Sequence, residues 1–173
     1  MDNILIRKVN NDDAAFFIDF VTYVWKDAYK DILAEDVFLD MENRRDKRIE
    51  KFSSKYYCGD DRICLIAFDD SRVVGIMFGR LVSGYPSFEE FSDLEALYID
   101  PKYQSMGIGS RLKNEFVSWA KEKGSSRFVI GVLKDNLKAR KVYEAWGGSL
   151  SNKEHDFVLL NVPYKEVFYT YDL

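Results

Sequence analysis

Residues 94–109 read LEALYIDPKYQSMGIG, an apolar strand that turns through Pro101 into Gln104-x-x-Gly107-x-Gly109. Ile108, Leu112, Phe116, Trp119 and Ala120 then recur at helical spacing, so a helix over about 108–123 begins inside the motif. Gly124 is placed to end it as a C′ residue. RFVIGVL, 127–133, follows as another strand. A strand, a helix and a strand of these lengths form a βαβ unit with a right-handed crossover. The chain must therefore build a sheet that contains two parallel strands with a helix over one face.

The same stretch points backbone N–H groups and the positive end of a helix at one small volume, which suits a diphosphate. Gly107 and Gly109 lack Cβ, so backbone can approach a bulky anion closely. Two glycines alone would make only a tight turn. The Gln, the spacing, the preceding Tyr98-Ile99-Asp100-Pro101 and the amphipathic helix together favour binding. A dinucleotide fingerprint would need a third glycine where Leu112 stands, and a P-loop would need a following Gly-Lys-Ser/Thr.

Elsewhere the pattern predicts a strand at 4–9, then a helix capped by Asp12 and Asp13 and carrying Phe17, Phe20, Val21, Val24 and Ala28 on one side. A second helix is expected over 35–53. ICLIAF (63–68) and RVVGIMFGRLV (72–82) flank Asp69-Asp70-Ser71 and read as a hairpin, with Gly75 and Gly79 as sites for bulges. Residues 83–93 read as a loop, 136–146 as a short helix, and Gly147-Gly148 as a turn. Two strands finish the chain, at about 149–152 and 156–171, with Pro163 bending or interrupting the last. These elements describe one α/β domain over residues 1–173 with a mixed sheet.

Composition narrows the function. With 25 basic and 29 acidic residues the net charge is −4, which gives no support for general nucleic-acid binding. The start turns polar too soon for a signal peptide, and no run approaches a membrane span. Cys58 and Cys64 lie outside metal and redox spacings, and a single His disfavours a His-based metal site. A cytoplasmic protein with two reduced thiols, no metal and no membrane or nucleic-acid partner is the expectation.

Residues 94–124 resemble the acyl-CoA signature of the GNAT superfamily of N-acetyltransferases, Gln/Arg-x-x-Gly-x-Gly/Ala after a strand. Residues 131–147, GVLKDNLKARKVYEAWG, resemble the next motif of that family. The resemblance implies a mixed, mostly antiparallel sheet, splayed between two parallel central strands and flanked by about four helices. It also implies acetyl-CoA as co-substrate in the gap. Leu97, Tyr98 and Ile99 would meet the pantetheine arm through backbone groups. Gln104, Ser105, Met106, Gly107, Ile108, Gly109 and Ser110 would hold the pyrophosphate. Asn136 would hydrogen-bond the cofactor and Tyr143 would sit beside the thioester sulfur. From the residues alone, Asn136 is also a good helix N-cap, and Tyr143 lies on a stripe with core spacing.

Acetyl transfer to an amine needs a neutral nucleophile, a polarised carbonyl and a proton or hydrogen bond for the thiolate. Tyr143 is the candidate acid. Strand alternation would put Asp93, Glu95, Leu97 and Ile99 on one face, making Glu95 the first candidate base and Asp93 the second. Family members often deprotonate through water, and Glu95 could equally be an ordinary strand-edge carboxylate. Trp25, Tyr29, Phe38, Tyr85, Phe88, Glu89, Glu90 and Tyr164 fall in regions where the family places its acceptor. Three functions compete. The first is acetylation of a small amine; the second is acetylation of a protein N-terminus or lysine. The third is CoA sensing without turnover. The family resemblance also makes a homodimer an expectation.

Overall fold

The computed structural model describes residues 4–56 and 58–173. The first three residues of the polar start, which enter the reading of a chain without a leader, lie outside the described residues. Seven strands form one sheet in the order β1-β2-β3-β4-β5-β7-β6. They are β1 (Ile4–Lys8), β2 (Arg62–Asp69), β3 (Arg72–Arg80), β4 (Ser92–Ile99), β5 (Arg127–Leu133), β6 (Ser149–Leu159) and β7 (Val162–Asp172). Every neighbouring pair is antiparallel except β4 and β5, which run parallel.

That parallel pair is the feature that positions the site. Its ladder holds only Ser92 opposite Phe128 and Asp93 opposite Val129. Beyond Asp93 the strands part, β4 staying with β3 and β5 staying with β7. The β5-facing edge of Leu97–Ile99 therefore has no strand partner, and polar backbone groups there remain available to a ligand.

Helix α1 (Ala14–Tyr29) packs on one face of the sheet, where Phe17, Val21 and Val24 meet Ile66, Ile76 and Phe78. Its entry differs from expectation: the Asn10 side chain accepts from Asp12 N, while Asp13 turns back to bind Arg7 in a two-armed ion pair. Asp13 also accepts from Asn10 N at 2.9 Å, closing a capping box. The helix expected over 35–53 is three: α2 (Glu35–Asn43), α3 (Arg45–Glu50) and α4 (Phe52–Lys55). The chain leaves helical geometry at Arg44 and Lys51, where φ/ψ is −98/12 and −86/1. These kinks let Met41, Ile49 and Phe52 all reach the α1 layer.

Helix α5 (Ile108–Glu122) covers the opposite face, burying Ile108, Leu112, Phe116 and Ala120 against β2, β3, β5 and β7. Each fully buried large side chain contributes about 1.5–3 kcal/mol. Gly79 is required here, since a Cβ would come within 2.5 Å of the Phe116 ring. Gly124 adopts φ +86 and ends the helix as its spacing foretells. Helix α6 (Leu137–Ala145) lies after β5. With six helices, two of them of one or two turns, the layer count exceeds the expected four only through the division of 35–53.

The C-terminal strands depart from the sequence reading. β6 continues through 153–155, its pairing with β7 irregular between Leu150 and Glu154, and the reversal falls at Leu160-Asn161, whose φ values of +48 and +65 make a tight hairpin turn. Pro163 does not interrupt β7. It pairs with Val158 where β7 extends beyond its contact with β5, so its missing N–H costs no ladder bond.

Candidate acyl-CoA and acceptor site

The helix α5 begins at Gly107, which adopts φ +81 and carries no capping side chain. A Cβ at Gly107 would meet nothing within 4 Å, so its amide end opens into free space rather than into packing. Ser105 also has φ +62, and the alternation turns successive N–H groups toward one side. Ile108, by contrast, is buried and anchors the turn to the core. Gln104 Nε2 donates to the Ile99 carbonyl at 3.3 Å, fastening the loop to the end of β4. A Cβ at Gly109 would lie in ordinary contact with Leu97, Ile99 and Trp146. An uncapped fifteen-residue helix facing an open glycine turn fits a diphosphate.

On the other face of the sheet lies a cavity of about 270 Å³. Trp25, Tyr29, Tyr56, Tyr85 and Tyr98 line it, together with the carboxylates of Glu95 and Glu166. Of the residues expected around an acceptor, Trp25, Tyr29 and Tyr85 arrive here. Phe38 and Tyr164 do not line the cavity but belong to the apolar cluster behind it, which also holds Trp25, Tyr29 and Tyr98; Phe88 packs with Val129 and Phe168, and Glu90 pairs with Arg127 at the surface. Glu89 is exposed.

The expected alternation of Asp93, Glu95, Leu97 and Ile99 on one face fails. Between Phe78 and Arg80 of β3 the register jumps from Ala96 to Asp93, so β4 carries an extra residue there. A bulge rotates the strand and re-aims a side chain. Glu95 therefore faces the cavity beside Ala96 and Tyr98, whereas Leu94, Leu97 and Ile99 pack on the α5 side. The bulge expected near Gly75 exists, at Ala67/Phe68 opposite Gly75 and Val73, whereas at Gly79 the extra residue falls on the partner strand β4.

The carboxylates sit in contrasting surroundings. Asp93 is fully buried, accepting from Ser83 Oγ at 2.9 Å with Oδ2 while Oδ1 has no partner. Burial, and then the charge of Glu95, push it up to about 7. Glu95 binds Arg80 with Oε1, and its Oε2 is buried without a hydrogen bond. Burial raises it too, against the pull of Arg80 and Arg62. Glu166 accepts from the Tyr85 hydroxyl at 2.9 Å and lies 3.5 Å from His155 Nδ1. Nothing in the motif reading singles out Glu166. Its signal is a carboxylate in register with Tyr164 and Phe168 on an otherwise apolar strand face.

Asn136 caps α6, its Oδ1 accepting from Ala139 N at 3.1 Å, and its side chain lies near the buried Tyr29 phenol. Tyr29 and Tyr98 lie side by side in the wall of the cavity, and burial raises both phenols. Tyr143 packs against Trp146 and Tyr169, and burial holds its phenol above the usual range. Its hydroxyl interacts electrostatically with those of Tyr29 and Tyr98. A belt of phenols thus joins Tyr143 to the aromatic cavity. Among the described residues no cluster of metal-ligating side chains occurs, and no helix is long and apolar enough to cross a membrane.

Residues 23–147 match the acetyltransferase (GNAT) family. The chain belongs to the GNAT family. This member is similar to a thialysine N-epsilon-acetyltransferase of Sus scrofa, at 39% identity over 54 residues, which are 31% of this chain and 32% of that protein. The chain thus spans about a third of the length of the curated relatives it matches. In fold it is similar to the PaiA N-acetyltransferase of Thermoplasma acidophilum, solved in complex with coenzyme A. The TM-score is 0.73 at 22% identity, covering 97% of this chain and 99% of that one. A GNAT acetyltransferase of Streptococcus pneumoniae gives 0.69 at 22% identity, covering 98% and 99%.

Proposed function

We propose that this GNAT protein transfers an acetyl group from acetyl-CoA to a primary amine of a small molecule, by direct attack while both are bound. The observation that carries the reading is the gap between β4 and β5. It lies between the glycine turn that starts α5 on one side and a carboxylate-bearing aromatic cavity on the other. The Thermoplasma relative solved with coenzyme A, and the thialysine acetyltransferases among the sequence relatives, support both halves.

Acetyl-CoA supplies an activated acyl group on a thiol leaving group. The N–H groups from Gln104 to Ser110 hold its diphosphate, and Leu97, Tyr98 and Ile99 offer unpaired backbone to the pantetheine arm and the carbonyl. Asn136, at the start of α6, lies beside that arm. Glu95, raised by burial, takes a proton from the bound aminium directly or through water. The amine lone pair then attacks the carbonyl carbon, the C–S bond breaks with its electron pair leaving on sulfur, and the second proton of the attacking nitrogen, made acidic by the new bond, passes to water. Tyr143 is a protonated phenol at neutral pH, which burial reinforces, and it donates a hydrogen bond to the departing sulfur.

Volume favours the small-molecule reading over a peptide, since about 270 Å³ lies below the range of drug-sized sites. Acetyl-CoA with a panel of small primary amines and with short peptides tests it, reading thiol release and product mass. Acetylated small amines are expected. Acetylation of peptides alone would overturn the acceptor class, and binding without release would make the protein a CoA sensor.

A further inference from the structure

Glu166 is built into the cavity more deliberately than a chance carboxylate. It stands on β7 opposite Leu133, but its head group reaches along β5 to lie over Gly131. A Cβ at Gly131 would come within 2.6 Å of Glu166 Oε1 and 3.2 Å of the Tyr85 hydroxyl. The glycine therefore makes the room in which the carboxylate and the phenol meet. Tyr85 is fixed in turn by edge-on packing against Phe168, with ring centroids 4.6 Å apart.

The cations of the cavity are unevenly shared. Arg80 is bound to Glu95, and Arg62 also acts on Glu95. Lys55 lies at the rim over the Tyr56 ring. Glu166 faces only His155, which is half exposed and 3.5 Å away, and no side chain among the described residues donates to its Oε1. A carboxylate so buried, with one oxygen open to an aromatic-walled cavity, is poised for a cation brought by a ligand. Glu95 lines that cavity from β4 and Glu166 from β7, the strand paired with β5 on the far side of the gap.

We infer that Glu166, held by Tyr85 over Gly131, anchors a second ammonium group of the acceptor. The substrate class is then a primary amine with another cationic nitrogen a short alkyl chain away, as in a terminal diamine. The inference rests on the amine-acetyltransferase reading for the role of the other end, which lies toward Glu95 and the gap.

The test compares diaminobutane with aminobutanol of the same chain length, which replaces one ammonium by a hydroxyl. Calorimetry with wild type and Glu166→Gln reads binding without turnover, and thiol release reads kcat/KM. Wild type should bind diaminobutane roughly tenfold or more tightly than aminobutanol, the scale of one charge-assisted bond. Glu166→Gln, which keeps the shape and the Tyr85 partner, should bring the ratio near one. Gly131→Ala, which displaces the carboxylate end of a flexible side chain, should lower the ratio in the same direction. Equal binding of both amines by wild type, or an equal loss for both in Glu166→Gln, would overturn the inference. Thiol release with both amines at the same kcat/KM would refute it while leaving the enzyme reading standing. Glu166-dependent diamine binding without any thiol release would do the reverse.

Discussion

Arg80 stands opposite Asp93 in the strand register, yet its guanidinium binds Glu95. The extra residue in β4 causes this, because it brings Glu95 to the cavity while Asp93 remains buried behind it. Two acids two residues apart thereby take different environments, one at the cavity wall and one hydrogen-bonded to Ser83.

If Glu95 is the base, Glu95→Gln should lower kcat/KM by roughly a hundredfold or more and remove the acidic limb of the pH–rate profile. An unaltered acidic limb would assign deprotonation to water or to Asp93.

Asp93 should make the protein less stable as pH rises. Its folded pKa, about 7, exceeds the ordinary value of 3.8, so between those values the native state holds the extra proton. The favourable contribution is complete below about pH 4 and is lost as pH climbs through 7. Urea melts of wild type and Asp93→Asn from pH 4 to 8 check the sign. Wild type should lose up to a few kcal/mol relative to the variant. A difference that stays flat, or grows in favour of wild type, would contradict the assigned environment.

Tyr143→Phe removes only the hydroxyl. Turnover should fall by roughly a hundredfold or more, while acetyl-CoA affinity, read by calorimetry, stays close to wild type. Wild-type turnover in this variant would exclude Tyr143 as the hydrogen-bond donor to sulfur.

Gly107→Ala places a side chain at φ +81 without striking any protein atom. The backbone cost is about 1–2 kcal/mol and should appear in the melting temperature. Acetyl-CoA affinity should fall as well, since a methyl group enters the proposed diphosphate cradle. A loss of stability with full affinity would show that the turn serves the fold alone.

The elements that could be read from sequence are those whose signal is local. Helix α5 has an unbroken apolar stripe from Ile108 to Ala120 and a glycine at its end, and its bounds come within a residue of expectation. Two features were hidden because they depend on partners distant in sequence. The bulge in β4 arises from its pairing with β3, and no property of DLEAL shows that alternation fails there. Glu166 gains its meaning from Tyr85, 81 residues away, and from the space above Gly131. The division of 35–53 was hidden differently: Arg44 and Lys51 are good helix formers, and packing on α1 overrides their propensity. The glycine turn before α5, the cap at Asn136 and the place of Tyr143 on α6 follow from local spacing, so their positions in the fold were readable. The wall of the aromatic cavity, assembled from α1, the 83–91 loop, β4 and β7, was anticipated only at Trp25, Tyr29 and Tyr85.

The most direct measurement mixes purified protein with acetyl-CoA and small primary amines, diamines included, and follows thiol release alongside product mass. Release that depends on amine, with one acetyl group added per CoA freed, is the predicted result. Acetyl-CoA binding with no amine-dependent release across the panel and the peptides would contradict it.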